Sequence, residues 1–540
     1  MRRRILAAGF SALLAVWALF SVAQAQTGST IVINDRSAQI SQVIEQGQAL
    51  ESQRRWAEAL TYYEEAVRQF PGDDALRRRF ELARAHYDLG RRYADRSFRS
   101  LLGELTFDRA LDVYAQVLLK IQSHYVDVPH WKELVDHGAR GLEVALSEPS
   151  FVEEHVPAAH REAIPAFCSE LHAALHPQVI VSRSSARDAV AYAGDLAWRR
   201  LQISPTIVAL EFVCGAANAL DNYSAYLTPD QLSEVYSQIE GNFVGLGVEL
   251  KVQNRALVLL RVISGSPAEL AGLKRGDTII AVDGRPTAEM SGDQAANMLQ
   301  GAEGTTAQLT VVSEGQTPRD VCVCRRRVEV PSVDRVQIVD PGYGVAYLRL
   351  TCFQKTTCRD LDAALWRLHG EGMRSLIIDL RGNPGGLLLS SVEAADMFLE
   401  RGTIVSTRGR NTQEDFVYSA RSEGTWRVPL VVLIDQESAS AAEIFAGAIR
   451  DHDRGSVVGV RSFGKGSVQG IFPLDIGTAG VRLTTAKFYS PLGRPYSHVG
   501  VDPNVQVHTA ARPTDGELRA PEDNMLAAAV ETARHQPMPK

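Results

Sequence analysis

Two segments of this chain follow the same plan, and that recurrence constrains the fold more than any other feature. Ser375-Leu-Ile-Ile-Asp-Leu380 is a short, continuous apolar run, the pattern of a strand buried on both faces. It enters the glycine-rich loop Gly382-Asn-Pro-Gly-Gly386, followed by a segment with Leu388, Val392, Ala395 and Leu399 on one helical face. Leu430-Val-Val-Leu-Ile434 repeats the strand, residues 435–438 repeat the loop, and residues 441–450 repeat the helix. Strand, loop and helix in this repeated order specify an α/β core, here over residues 331–510.

That core is only part of a 540-residue chain, which is long enough for three or four units, so the expected class is multidomain α+β. Met1-Arg-Arg-Arg4, an apolar stretch to Val22 and Ala23-Gln24-Ala25 have the layout of an export signal over residues 1–25. The alternative is an uncleaved anchor, since about 18 apolar residues just span a bilayer. Either way the protein is expected outside the cytoplasm, periplasmic or secreted. After a linker at 26–39, residues 40–100 read as a helical hairpin. Gly47, Ala59, Tyr63, Ala66 and Pro71 carry the spacing of one tetratricopeptide (TPR-like) unit, which suggests a protein partner and no chemistry. Residues 106–235 read as a second helical unit, with similar small-residue stretches at 138–150 and 214–224. Residues 236–330 then switch to strands and an Asp283-Gly284 turn, an order that resembles a PDZ domain. There Gly245, Leu246, Gly247 and Val248 are the expected peptide site: free turn amides for a terminal carboxylate, and a strand edge for an extended chain. The tail, 511–540, holds at most one helix.

A net charge of −7 gives no reason to expect nucleic-acid binding. Neither CxxC nor HExxH occurs, so no metal or other cofactor is expected. Of six cysteines, Cys352 and Cys358 are near enough to pair, and buried free thiols are the alternative.

The chemistry lies in two short patterns. Ser440 stands in Glu437-Ser-Ala-Ser-Ala-Ala-Glu443, and Lys465 in Ser462-Phe-Gly-Lys-Gly-Ser467. A serine hydroxyl needs a base, and a neutral lysine amine can be one. Ser440-Ala-Ala-Glu443 also reads as a capping box, and a hydroxyl at a helix start sits in a field that favours oxyanion charge. Ser438 competes for the nucleophile role, and residue pattern alone does not separate the two. Lys465 lies in a near miss for a phosphate-binding loop, but Gly466 stands where Ser or Thr must hold magnesium. As a base it needs burial to bring its pKa from about 10.4 toward ~7–8. His452, at the far end of the same helix, is roughly 18 Å from Ser440 at 1.5 Å per residue. Ala441 follows the nucleophile and is the natural first oxyanion donor.

The serine, lysine and glycine-loop segments together resemble the C-terminal processing (tail-specific) peptidases over about residues 106–510. The resemblance implies a ClpP/crotonase-like catalytic core, with Ser440 as nucleophile and Lys465 as base. It gives Gln469 the role of orienting Lys465, and it draws the second oxyanion donor from Gly385 or Gly386. It also implies cleavage near the C-termini of unfolded or C-terminally exposed proteins, with assembly into a homo-oligomer a further expectation. Two other readings are a catalytically inactive PDZ/TPR adaptor and a crotonase-type acyl-CoA enzyme. The first conflicts with the presence of every proposed catalytic residue, and the second lacks its cofactor outside the cell.

Overall fold

The computed structural model describes residues 36–253, 256–289, 295, 298–299, 301–313, 315–421, 425–507 and 523–538. The expected leader and most of the linker lie outside these residues, as does part of the tail. No described helix is long and apolar enough to cross a membrane.

The chain opens with α1 (Arg36–Ser52), α2 (Trp56–Gln69) and α3 (Asp74–Ala94). Small residues let these helices approach closely. Ala59, Tyr63 and Ala66 of α2 are buried with Phe70, Leu76 and Ala83. The Tyr63 ring lies where a Cβ on Gly47 would be, 2.2 Å away, so α1 seats on α2 only through a glycine. Asp73 caps α3 by accepting from the amides of Ala75 and Leu76. After α4 (Arg96–Glu104), a larger helical body contains α5 (Phe107–His124), α6 (Trp131–Ser147), α7 (Pro149–His155), α8 (Ile164–Leu175), α9 (Arg183–Leu201) and α10 (Pro205–Asn218). The two similar stretches noted in the sequence meet here. A Cβ on Gly215 of α10 would come within 2.5 Å of Gly138 Cα of α6, so the helices cross backbone to backbone.

Strand β1 (Ala225–Leu227) and α11 (Pro229–Glu240) lead to a smaller β unit. Its sheet runs β3 (Val248–Gln253), β4 (Ala256–Val262), β5 (Thr278–Val282), β7 (Thr306–Val312), β8 (Arg319–Cys324), with β6 (Arg285–Pro286) on β5. A two-stranded ribbon, β2 (Asn242–Gly245) with β9 (Arg326–Glu329), closes its base.

The α/β core has the order β10 (Val333–Asp340), β11 (Val345–Leu350), β12 (Ser375–Asp379), β15 (Leu430–Ile434), β16 (Ser456–Gly459), β19 (Val505–Gln506). All neighbours after the antiparallel β10–β11 pair are parallel. This explains the continuous apolar runs, because both faces of the central strands are covered. Leu376, Ile378, Val432 and Ile434 face α13 (Thr357–Gly370), α14 (Leu388–Asp396) and α15 (Ala441–Asp451), numbered after the short α12 (Pro267–Leu270). Ile377, Val431 and Leu433 face α16 (Asn524–His535), the one helix described in the tail. A second, antiparallel sheet joins β1, β18 (Gly480–Tyr489), β13 (Thr403–Gly409) and β14 (Phe416–Ser419), with β17 (Ser467–Pro473) also on β18. Through β1 the helical body is hydrogen-bonded into the core. No disulfide forms among the described cysteines.

Candidate active site

Ser440 occupies the turn between β15 and α15 with φ 57° and ψ −117°. A non-glycine residue in that region is strained by about 1–3 kcal/mol, a cost that persists only where the surroundings impose it. Here they do. Ser440 N–H donates to the Glu443 carboxylate at 2.7 Å, and Glu443 N–H is directed at the Ser440 carbonyl at 2.8 Å. The helix start is thus satisfied largely through backbone and carboxylate, while the hydroxyl lines the cavity above the sheet.

Ser438 is built differently. It is fully buried, its hydroxyl donates to Leu380 O at 2.9 Å, and it accepts from Asp435 N at 2.9 Å. That hydroxyl ties two strand ends together. Of the two serines that the sequence offers, Ser438 is thus buried with its hydroxyl engaged, whereas Ser440 lines the cavity.

Glu443 organises the site. Its buried carboxylate accepts from Ser440 N, from Ser462 Oγ at 2.6 Å, from Gly464 N at 2.7 Å and from Lys465 N at 2.9 Å. One side chain therefore joins the Ser440 turn to the Lys465 loop. Burial pushes its carboxyl above the ordinary range, against the four donors, which favour the charged form.

Burial also pushes the Lys465 ammonium down, to about 8, and the positive charge of Arg482 acts in the same direction. Glu443 and Asp221 oppose the shift. The Lys465 Nζ sits 4.9 Å from the centroid of the Tyr223 ring, over its face. A ring face accepts a cation without the strong pull of a carboxylate.

The glycine loop rests on the Ser440 turn. Asn383 holds it: Nδ2 donates to Leu350 O at 2.9 Å, Oδ1 accepts from Gly385 N at 2.8 Å, and its carbonyl accepts from Ala439 N at 2.9 Å. A Cβ on Gly385, at φ +97°, would lie 2.8 Å from both Ser440 Cβ and Ala441 N. On Gly386, at φ +140°, it would lie 2.0 Å from Phe353 O. The Gly385 amide is thus engaged. The amides of Gly386 and Ala441 make no hydrogen bond to a described residue.

Gln469 departs from expectation. Its amide nitrogen donates to Ser467 Oγ at 2.9 Å and Thr484 Oγ1 at 3.4 Å, and it makes no hydrogen bond to Lys465. Lys465 precedes β17 and so shares no regular element with Gln469, and the β17–β18 register shifts between Val468 and Gln469. His452 Nε2 is held by Thr403 O at 2.7 Å, at the far end of α15.

At the turn between β2 and β3, the Leu246 and Gly247 carbonyls accept from Ala268 N and Ile263 N at 2.8 and 2.9 Å. Their amides make no hydrogen bond to a described residue. This turn, Val248, Ser440 and Lys465 all line one cavity of about 6420 Å³.

Residues 344–507 match the model of peptidase family S41, and residues 258–313 match a PDZ domain. A carboxy-terminal-processing protease of Bartonella bacilliformis is 36% identical over 299 residues, which cover 54% of this chain and 68% of that one. The corresponding protease of Synechocystis sp. is 35% identical over 315 residues, 57% of this chain and 73% of its own. This chain belongs to the carboxyl-terminal-processing proteases of peptidase family S41. It is a serine-type peptidase with a PDZ domain. Among solved structures, the photosystem II D1 C-terminal processing protease aligns over 79% of this chain and 96% of its own, at 24% identity and a TM-score of 0.38.

Three residues that hold the S41 site together escaped the sequence reading as site members. Glu443 reads locally as the end of a capping box, and its longer contacts cross to another loop. Asn383 is quoted within the glycine loop, but nothing in its spacing marks its side chain as the loop's anchor. Tyr223 lies in Asp221-Asn-Tyr-Ser224, a segment similar to the family's link out of its N-terminal helices. Asp221 shapes that turn by accepting from Tyr223 N and Ser224 N, both at 2.7 Å.

Proposed function

We propose that the protein is an endopeptidase with a Ser440–Lys465 dyad that cuts protein substrates near their C-termini. The observation that carries this reading is Glu443, whose one carboxylate binds both the Ser440 turn and the Lys465 loop, with the lysine's pKa lowered to about 8. Lys465 Nζ takes the Ser440 proton as Oγ attacks the scissile carbonyl carbon. The Ala441 and Gly386 amides receive the oxyanion. The Lys465 ammonium, over the Tyr223 ring, then protonates the departing amine, and water releases the acyl group by the reverse sequence. Gln469 acts at one remove, by ordering Ser467 and Thr484 beside the base.

The Leu246–Gly247 amides take the terminal carboxylate of the substrate and the β3 edge takes its tail, so that an upstream bond reaches Ser440 through the shared cavity. The N-terminal helices supply a tetratricopeptide-type protein contact, and the apolar leader directs export. The α/β unit belongs with the ClpP/crotonase-like folds. The test is cleavage of an unfolded protein with a free apolar C-terminus, read by mass spectrometry. Wild type is expected to cut, whereas folded Ser440→Ala and Lys465→Ala are not. Activity retained in Lys465→Ala rejects the dyad and makes His498, which also lines the cavity, the next residue to test.

A further inference from the structure

Lys465 is held from the inside by core contacts and from the outside by helices that precede the catalytic unit. On the inside, Glu443 fixes its loop, while Arg482 Nε donates to Tyr223 O at 2.8 Å and fixes the facing turn. On the outside, the Arg68 guanidinium of α2 lies over the Phe463 ring, 4.4 Å from its centroid. Phe463 is two residues from Lys465. Arg84 of α3 donates from Nη1 to Asn222 Oδ1 at 2.9 Å, one residue from Tyr223. Each arginine is pre-set by its own helix: Arg68 pairs with Glu64 at 2.7 Å and Arg84 with Asp88 at 3.6 Å. The two segments that face each other across the Lys465 amine are thus both touched by the N-terminal helices.

Those helices are anchored independently of the site. His86 stacks on Trp56 at 3.8 Å and pairs with Glu148 at 2.5 Å. Trp56 Nε1 donates to Glu148 Oε1 at 3.0 Å. Arg92 pairs with the buried Glu211 at 2.6 Å. The position of α2 and α3 is therefore set by the helical body, and Arg68 and Arg84 carry that position to the catalytic loops. Cation–π contacts at exposed sites are individually weak. Their leverage lies in geometry, because small misplacements of a reacting group are costly in rate.

We propose that Arg68 and Arg84 are positioning residues for Lys465, acting through Phe463 and Asn222 to keep the amine against the Tyr223 ring. This rests on the reading of Lys465 as the base. The charged and titratable groups around that amine are Arg482 on β18, Glu443 on α15, Asp221 and Tyr223 in the facing turn, and Arg68 and Glu64 on α2 beyond Tyr223. His498 adjoins the loop, with its amide donating to Gly464 O at 2.9 Å. Loss of both arginines lets water reach the amine and raises its proton affinity.

The test uses the full chain carrying Arg68→Ala and Arg84→Ala, singly and together. Rates are taken on an unfolded, tail-bearing protein and on a short peptide, from pH 6 to 10, with Lys465→Ala as control. The double variant is expected to lose roughly tenfold in kcat on both substrates with KM unchanged. The rising limb of its pH profile should move to higher pH, so that the deficit narrows above pH 9. Arg68→Lys with Arg84→Lys should recover part of the rate. An unshifted limb, or a loss confined to KM, makes the arginines substrate contacts or scaffold and overturns the proposal. A fall in melting temperature that accounts for the lost rate overturns it as well. An active Lys465→Ala control sinks the dyad itself, whichever way the arginine variants behave.

Discussion

The Lys465 loop and the Leu246–Gly247 turn line the same cavity and use the same group, the backbone N–H, in opposite ways. In the first, the amides of Gly464 and Lys465 are taken by the buried carboxylate of Glu443. In the second, the carbonyls are pinned and the amides are open. On the function proposed above, the difference follows from what each would have to do. A base has to stand at a fixed distance from its nucleophile, and a buried charge-assisted hub with four donors supplies that rigidity. A capture site has to present unsatisfied donors to a ligand, so its rigidity comes from the other side of the peptide. Gly247, at φ +82°, keeps the turn tight where a Cβ would meet Ser266 Cβ at 2.1 Å.

The comparison breaks most sharply at the two serines. Ser440→Ala is expected to lower kcat/KM by about 10⁴-fold or more with melting temperature unchanged. Ser438→Ala should do the reverse, costing about 1–3 kcal/mol of stability by stranding buried partners, while the nucleophile survives. Equal loss of activity in both, with both folded, would refute the assignment. Glu443→Ala comes next, with an expected fall of about 10²–10³ in kcat and a lower melting temperature, because four donors lose their acceptor at once. An unchanged kcat would show that the hub is dispensable for positioning.

With Lys465 titrating near 8, kcat/KM should rise about tenfold per pH unit below 8 and level off above it. A profile flat between pH 6 and 8 would remove Lys465 as the titrating base. At the capture turn the effect is smaller and of a different kind. Gly247→Ala should raise KM about tenfold on a substrate with a free apolar C-terminus and leave the short-peptide kcat unchanged. A fall in kcat on both substrates would mean that the turn shapes the catalytic site.

The smallest effect is on stability. The folded pKa of Lys465 lies below its ordinary 10.5, so between about pH 8 and 10.5 the unfolded chain holds more protons and wild-type stability rises with pH. Lys465→Met should therefore melt about 2–4 °C higher at pH 7, an advantage lost as pH climbs through 8 toward 10.5. Calorimetry across that window checks it.

Much of this protein was legible one segment at a time. The buried strands at 375–379 and 430–434, the helix behind Ser440 and the small-residue packing of α2 follow from local periodicity and from side-chain size. Those properties act over a few residues, and the chain alone determines them. Ser440, Lys465 and the glycine loop stood out as candidates for the same reason, since each lies in a short pattern with its own chemistry. The tertiary structure decided whatever depends on groups far apart in sequence. It buried Ser438 among its partners and left Ser440 at the cavity, and it engaged the Gly385 amide through the Asn383 side chain while leaving that of Gly386 open. It gave Glu443 its second set of contacts and placed Tyr223 under the lysine. It turned Gln469 toward Thr484 because a strand register shifted, and it set Arg68 and Arg84 against the catalytic loops. Hydrogen bonds and burial of this kind are made only after the units pack, and no local pattern encodes which amide will find a partner and which will be left for the substrate.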